Sequence, residues 1–287
     1  MTSRVAFALA FTLLSWASAF TAIRRSLEVF SPGALTLYRI AIAAATLLLV
    51  AKARGVLRWP DRADVPRVLL CGLLGGGGYH ALLNFGQVTV EAGPASFLIN
   101  TAPIFTVLLA RMFLNERLRL LGYAGMLVSF LGVVLIILGR NGRLQFDPHA
   151  LLVLAAAVSY SVFIVLQKAL LEKYDVLAFS AIALATGALL SLVFTPDLVR
   201  DAPGANWQAH AMVIYLGIVP AGLGYLCWSY AQAKLTASRA VTFLYLTPVL
   251  ATFIAWVWIG ETPSVLALVG GGVVLVGVVI VNRFGRA

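Results

Sequence analysis

The sequence repeats itself at a spacing of 145 residues. Gly72 returns as Gly217, Gln87 as Gln232, Pro103 as Pro248, Glu116 as Glu261, Gly125 as Gly270 and Gly132 as Gly277. Earlier in the chain the spacing shifts to 144, where Ser15-Trp16 lies on Ser159-Tyr160 and Arg24 on Lys168. Apolar composition explains matched Val and Leu but not matched Pro, Glu, Gln and Gly. The chain therefore reads as two copies of one unit, residues 1–143 and 144–287, and any fold must satisfy the unit twice.

What each unit contains follows from its solvent. Of 287 residues, 61% are hydrophobic and 11% are charged, against about 25% charged in an ordinary soluble domain. Too few charges remain to cover a water-exposed surface, so the chain is read as an all-α integral membrane protein. Apolar runs bounded by charge, Pro or Gly fall at about 4–23, 33–51, 67–89, 94–111, 118–139, 148–167, 176–194, 210–231, 238–259 and 263–282, close to the ~20 residues that a spanning helix needs. That makes ten expected transmembrane helices, five per copy. Five is odd, so the second copy enters the membrane from the opposite side. The expectation is two inverted five-helix repeats around a central cavity, an architecture that lets one midplane site open alternately to either side.

Charge placement sets the expected orientation. With the N-terminus inside, 15 of the 21 Lys and Arg fall on the cytoplasmic side and 5 on the other, with Arg39 near the outer end of span two. Both termini are expected in the cytoplasm of a cell bounded by this inner membrane. The run of Arg4, apolar residues and Ala17-Ser18-Ala19 imitates a signal peptide; the repeat and the charge count both require that it be kept. The net charge of +10 is assigned to loops facing anionic lipid, with no nucleic-acid partner. Cys71 and Cys227 fall within apolar runs and read as small hydrophobes.

The polar residues inside spans are candidates for binding a solute. His80 is the ionisable group that this reading places deep within a span, and it shares a helical stripe with Asn84 and Gln87. The repeat mates are Tyr225, Ser229 and Gln232. Asn100 precedes Pro103 by three residues and Tyr245 precedes Pro248 by three, so both prolines are candidate kinks, hinges or site linings. Aromatic residues within spans (Trp16, Tyr79, Tyr160, Phe163, Tyr225, Trp228 and Tyr245) would wall the site, their faces suited to a planar side chain or an ammonium. No Asp or Glu lies deep in a span, which disfavours a strongly cationic solute and suits a zwitterion. Gly75 to Gly78 lack the G-K-[ST] of a phosphate loop, and Gly75 and Gly78 read instead as hinges or points of close helix approach. The glycines of spans five and ten form small-residue faces that would pack on each other or on a partner copy in a homo-oligomer. Glu116 and Glu261 end spans four and nine, to cap a helix, pair with an Arg or act in gating. Arg39 is read as snorkelling to headgroups or steering a carboxylate. No metal-ligand spacing, cofactor motif or catalytic motif is present.

The same residues resemble a known family. Ser15-Trp16, Tyr38-Arg39, Asn100-Thr101-Ala102-Pro103, Asn115-Glu116-Arg117 and Gly125, with Tyr245-Leu246-Thr247-Pro248 and Gly260-Glu261-Thr262 in the second copy, look like the EamA-type transporters of the drug/metabolite superfamily. The resemblance covers essentially the whole chain and extends to the YddG-like branch that exports aromatic and neutral amino acids. It implies a basket in which spans one, three, four, six, eight and nine surround the solute. It also implies cavity roles for Trp16, Tyr79, His80, Asn100, Tyr160, Trp228 and Tyr245. The buried glutamate that the family's small multidrug relatives use in span one is absent here. The expectation is a transporter, not an enzyme, exporting neutral amino acids across the cytoplasmic membrane. The alternatives are an intramembrane enzyme built on His80 and Asn84 and a passive metabolite channel.

Overall fold

The computed structural model describes residues 2–102, 104–106, 108–109, 119–138, 147–234, 243–244 and 246–284. Among them there are helices and turns and no strands. In chain order these are α1 (Ser3–Ser26), α2 (Pro32–Ala53), α3 (Val65–Gly86), α4 (Ala92–Ile99), α5 (Leu120–Leu138), α6 (Pro148–Lys173), α7 (Val176–Leu190), α8 (built from Trp207–Leu216, Gly217–Gly224 and Tyr225–Lys234), α9 (Thr247–Ile259) and α10 (Val265–Phe284). Six of these segments, α1, α2, α3, α6, α8 and α7 with its continuation to Gly204, are long and apolar enough to cross a bilayer unaided. Helices α5, α9 and α10 are apolar but shorter. Phe7, Leu49, Leu120, Leu189, Trp207 and Val265 stand exposed around the bundle, as lipid-facing residues do.

The caps explain where several helices begin. Ser31 accepts from Ala34 N–H and Pro32 occupies the first turn of α2; Asp175 accepts from Leu177 and Ala178 N–H at the start of α7. These two caps are 144 residues apart, so the repeat extends to the helix-start signal. Asp147 and Asn206 cap α6 and α8 in the same way. At the other end of α9, Gly260 takes φ 70°, the left-handed position at which glycine stops a helix without strain.

Helices α3 and α8 each contain a π segment, Gly72–Gly77 in the first and Gly217–Gly224 in the second. Both start at the repeated glycine. A π turn widens the ladder and leaves backbone carbonyls to be satisfied from outside the helix. Side chains of other helices supply the donors: Ser159 Oγ donates to the Leu74 carbonyl at 2.8 Å, Trp16 Nε1 to the Pro220 carbonyl at 3.1 Å and Thr12 Oγ1 to the Gly224 carbonyl at 3.2 Å. The glycines also permit close approach. A Cβ at Gly72 would lie 2.8 Å from the Ala183 carbonyl oxygen, and a Cβ at Gly217 would lie 2.9 Å from that of Arg39. Thus α3 packs on α7 and α8 on α2, while α1 packs on α8 and α9 and α6 packs on α3 and α4.

Helices α5 and α10 form a tight pair. Gly125 faces Gly277, and Gly132 faces Gly270. Between them Ser129 Oγ donates to the Val274 carbonyl at 3.1 Å. The contact is reciprocal, because each glycine meets the repeat mate of its own helix neighbour. Small residues bring the two backbones close enough for dispersion and hydrogen bonding to replace the missing hydrophobic drive between helices in lipid.

Candidate functional site

A cavity of about 190 Å³ lies where α1, α3, α4, α6, α8 and α9 converge, with single contributions from α2 and α7. Helical periodicity selects the lining of α1: Trp16, Ala19, Phe20 and Ile23 recur at steps of three or four and so share one face. The same logic brings Gly75, Tyr79, His80 and Leu83 of α3 to the wall, and Ala221, Tyr225 and Trp228 of α8 to the facing side. Tyr160 and Ile164 of α6, Asn100, Ala102 and Thr106 at and beyond the end of α4, and Leu244 and Thr247 before and within α9 complete the remaining walls.

The rings form two groups, a tryptophan pair and a chain from Tyr79 to Tyr225. Trp16 and Trp228 lie 5.4 Å apart between centroids, Tyr79 and Tyr160 5.3 Å, Tyr160 and Phe163 6.1 Å, and Phe163 and Tyr225 6.2 Å. These tilted arrangements are the ones the ring quadrupole favours. Phe163 is buried and does not line the cavity; it sits behind Tyr160 and Tyr225, against Gly75. Tyr225 is held from the far side by a hydrogen bond to Gln167 Oε1 at 3.0 Å.

Polar groups lie among and behind the rings. Asn84 is buried beneath the lining, where its Nδ2 donates to Thr36 Oγ1 at 2.9 Å and its Oδ1 accepts from Arg39 Nη1 at 3.3 Å. His80, which lines the cavity, has no partner for its Nδ1 among the described residues, and neither does Arg39 for its Nε. Asn100 is tied by Nδ2 to the Ser96 carbonyl at 2.9 Å. Among the described residues no group of His, Cys, Asp and Glu could hold a metal ion.

Arg39 corrects the sequence reading. Placed near a span end, it was read as snorkelling to headgroups or steering a carboxylate; it is 2% exposed and lines the cavity, which excludes the first of these. Helix α2 starts at Pro32, so Arg39 sits seven residues, about 10 Å, along the axis from that end. His80 is therefore not the one ionisable group deep in a span. The rule that an ionisable residue within a span marks a pathway was the signal that could have found Arg39. Pro248 is also placed differently from the expected mid-helix kink: it lies buried in the first turn of α9, where its missing N–H costs nothing. Gly75 lines the cavity, and Gly78 starts the α-helical part of α3 just past the π segment. Tyr245 and Pro103 lie outside the described residues, as does Glu116.

Ion pairs tie the two ends of the bundle. At one end Arg24 Nε lies 3.3 Å from Glu261 Oε1, and Arg24 Nη1 donates to the Gln87 and Val88 carbonyls at 2.7 and 2.9 Å. Glu261 Oε2 also accepts from Ala92 N–H at 2.8 Å, capping α4 rather than the helix after it. The neighbouring Glu91 carboxyl is held above its ordinary range, by burial first and then by the Glu261 carboxylate, against the pull of Arg24. At the other end Lys173 Nζ lies 2.6 Å from carboxylate oxygens of both Asp61 and Asp64, and Tyr174 donates to Asp64 at 2.7 Å. Those bonds hold the Asp64 carboxyl below its ordinary range.

Comparison with known proteins decides the class. The sequence matches the EamA-like transporter family over residues 3–138 and again over 148–283. The chain belongs to the EamA-like transporter family. A Streptantibioticus cattleyicolor protein named a probable terminal-alkyne amino-acid exporter is 40% identical over 98% of this chain and 94% of its own length. The Bacillus subtilis protein named uncharacterized transporter YdfC is 40% identical over 92% of this chain and 86% of its own length. A solved crystal structure superposes with a TM-score of 0.68 at 25% identity, covering 99% of this chain and 97% of that one. This EamA-family chain is thus a multi-pass membrane transporter of a small-molecule solute rather than an enzyme.

Proposed function

We propose that this EamA-family transporter exports neutral, zwitterionic amino acids, with aromatic and large aliphatic side chains preferred, across the cytoplasmic membrane by alternating access. The observation that carries the reading is a cavity lined by the rings of Trp16, Trp228, Tyr79, Tyr160 and Tyr225 together with the polar groups of His80 and Asn100. An apolar side chain packs on the rings, the ammonium gains from ring faces, and the polar groups take the remaining heteroatoms. The exporter of terminal-alkyne amino acids among the relatives supports an amino-acid cargo with an uncharged side chain.

Alternating access draws support from the reciprocal contact of α5 with α10 and from the exchanged packing of α3 on α7 and α8 on α2. Both are what two inverted five-helix repeats, residues 1–143 and 144–287, would make. The Arg24–Glu261 pair at one end and the Lys173–Asp64 pair at the other are closures that could part in turn. With both termini in the cytoplasm, the Arg24 end faces outward.

Proteoliposomes loaded with labelled phenylalanine or leucine test this directly. Saturable efflux with mutual competition is the expected result. Flux linear in concentration without competition indicates a channel, and no flux across a broad amino-acid panel removes the reading.

A further inference from the structure

Arg39 poses a problem that the transport reading leaves open. Its guanidinium carries five donors, and among the described residues it makes one long hydrogen bond, Nη1 to Asn84 Oδ1 at 3.3 Å. Its Nε is enclosed and unpartnered. No described carboxylate lies within ion-pair distance of it, although Arg24, Arg25, Lys173 and Arg200 are all paired. A cation withdrawn from water without an anion costs several kcal/mol, and in a membrane span the cost is sustained where function needs it.

A structural role explains little of this. Asn84 is already anchored by its own bond to Thr36, so a neutral residue at position 39 would leave that pair intact. The opposing half shows the neutral solution, since the residue 144 positions on is Ala183, which offers its carbonyl to Gly72 as Arg39 does to Gly217. The packing geometry therefore asks for no charge at this position. The cavity wall beside Arg39 holds a second buried group without a partner, His80 Nδ1. Both residues are at least nine-tenths buried.

We propose that Arg39 is the anchor for a carboxylate on the cargo, with His80 completing the contact, and that this pairing sets the charge rule of the transporter. It rests on the transport reading and specifies it. The cargo must supply the anion that the protein withholds, so an acid group is obligatory, whereas the ammonium meets only ring faces and contributes less. A site built to bond a given group rejects analogues lacking it more strongly than it rejects a change of apolar size. The rule thus separates amino acids from the corresponding amides and amines even where the side chain is identical.

The test uses the purified full-length chain with phenylalanine, phenylalaninamide, phenethylamine and 3-phenylpropionate, and the leucine series in parallel. Binding is read by quenching of tryptophan fluorescence, since Trp16 and Trp228 line the cavity, and transport by competition against labelled phenylalanine efflux. The wild type is expected to prefer the two carboxylates over the amide and the amine by about tenfold to a hundredfold, the worth of one charge-assisted contact. In Arg39→Gln that preference collapses to within about threefold, and Arg39→Lys restores part of it.

Equal binding of acid and amide by the wild type overturns the proposal. This arm needs no variant and so does not depend on whether Arg39→Gln folds. An Arg39→Gln protein that melts as the wild type does and keeps the preference overturns it as well, as does binding of no probe at all. Saturable efflux inhibited equally by the amide sinks the anchor and leaves the transport reading standing. Acid-selective binding without efflux does the reverse.

Discussion

The π segments at Gly72 and Gly217 dock in the same manner and line the cavity in different ways. Gly72 approaches the Ala183 carbonyl of α7, and Gly217 approaches the Arg39 carbonyl of α2, at equivalent positions of the two copies. Even the side-chain bonds nearby repeat: Thr36 Oγ1 donates to the Pro32 carbonyl, and Ser180 Oγ to the Val176 carbonyl. What has diverged is the chemistry carried on this shared backbone. Both copies bring rings to the cavity, Trp16 and Tyr79 from the first and Tyr160, Tyr225 and Trp228 from the second, but the first alone adds the ionisable side chains Arg39 and His80. Backbone approach in lipid tolerates only small residues, so it holds the glycines in place. The lining is free of that restriction, so one duplicated frame encloses a cavity whose ionisable side chains come from one copy.

The comparison breaks most sharply at the position that distinguishes the copies. Ala183→Arg places a second guanidinium at the mirror site, against Gly72 and the buried face of α7, with no cargo contact to balance it. It is expected to cost about 3–5 kcal/mol, seen as loss of folded, monodisperse protein in detergent; a stable variant would show that the two sites are interchangeable. Gly72→Ala and Gly217→Ala come next. Each Cβ would crowd a carbonyl and a β-branched side chain, Thr186 and Ile42 respectively, so each should lower stability by about 1–3 kcal/mol. Thermal unfolding should find the two losses alike, and a large difference would mean that the two junctions are not equivalent.

Smaller effects probe the carbonyls that the π segments release. Trp16→Phe removes the donor to Pro220, and Ser159→Ala removes the donor to Leu74. Each should cost about 1 kcal/mol in the same unfolding assay. The two should differ in transport, because only Trp16 lines the cavity. The smallest effect concerns pH at the Arg24 end. Burial and the Glu261 carboxylate raise the Glu91 carboxyl in the folded chain, so the folded state binds the proton more tightly than the unfolded one. Stability from this group is present at low pH and is lost as pH rises through the folded value. Glu91→Gln should therefore flatten the decline in melting temperature as pH rises above the ordinary carboxylate range; an unchanged slope would remove Glu91 as its source.

Much of the helix plan was legible in the sequence. Apolar run length located helices such as α1, α2 and α6 to within a few residues, because crossing a bilayer demands a length and forbids charge. The glycines at 125, 132, 270 and 277 marked small-residue faces, and the structure packs those of α5 against those of α10. The π segments were not legible, since nothing in the residue order separates a widened turn from an α-turn until a carbonyl finds a donor on another helix. The lining was legible in part: Trp16, Tyr79, His80, Asn100, Tyr160, Tyr225 and Trp228 face the cavity, whereas Asn84 and Phe163 stand behind it. Polarity or aromaticity within a span does not say which residue of a helical face is nearest the void.

Arg39 marks the boundary between the two kinds of information. The sequence by itself determined that the chain lives in a membrane, that it is built from a unit used twice, and that two of its helices carry small-residue faces, because solvent and backbone sterics act on composition and spacing. Only the tertiary structure decided that a guanidinium seven residues into α2 would be buried against Asn84 of α3 instead of reaching the headgroups. Burial and partnership are properties of neighbours distant in sequence, and the free energy of a charge depends on those neighbours rather than on its place along the chain.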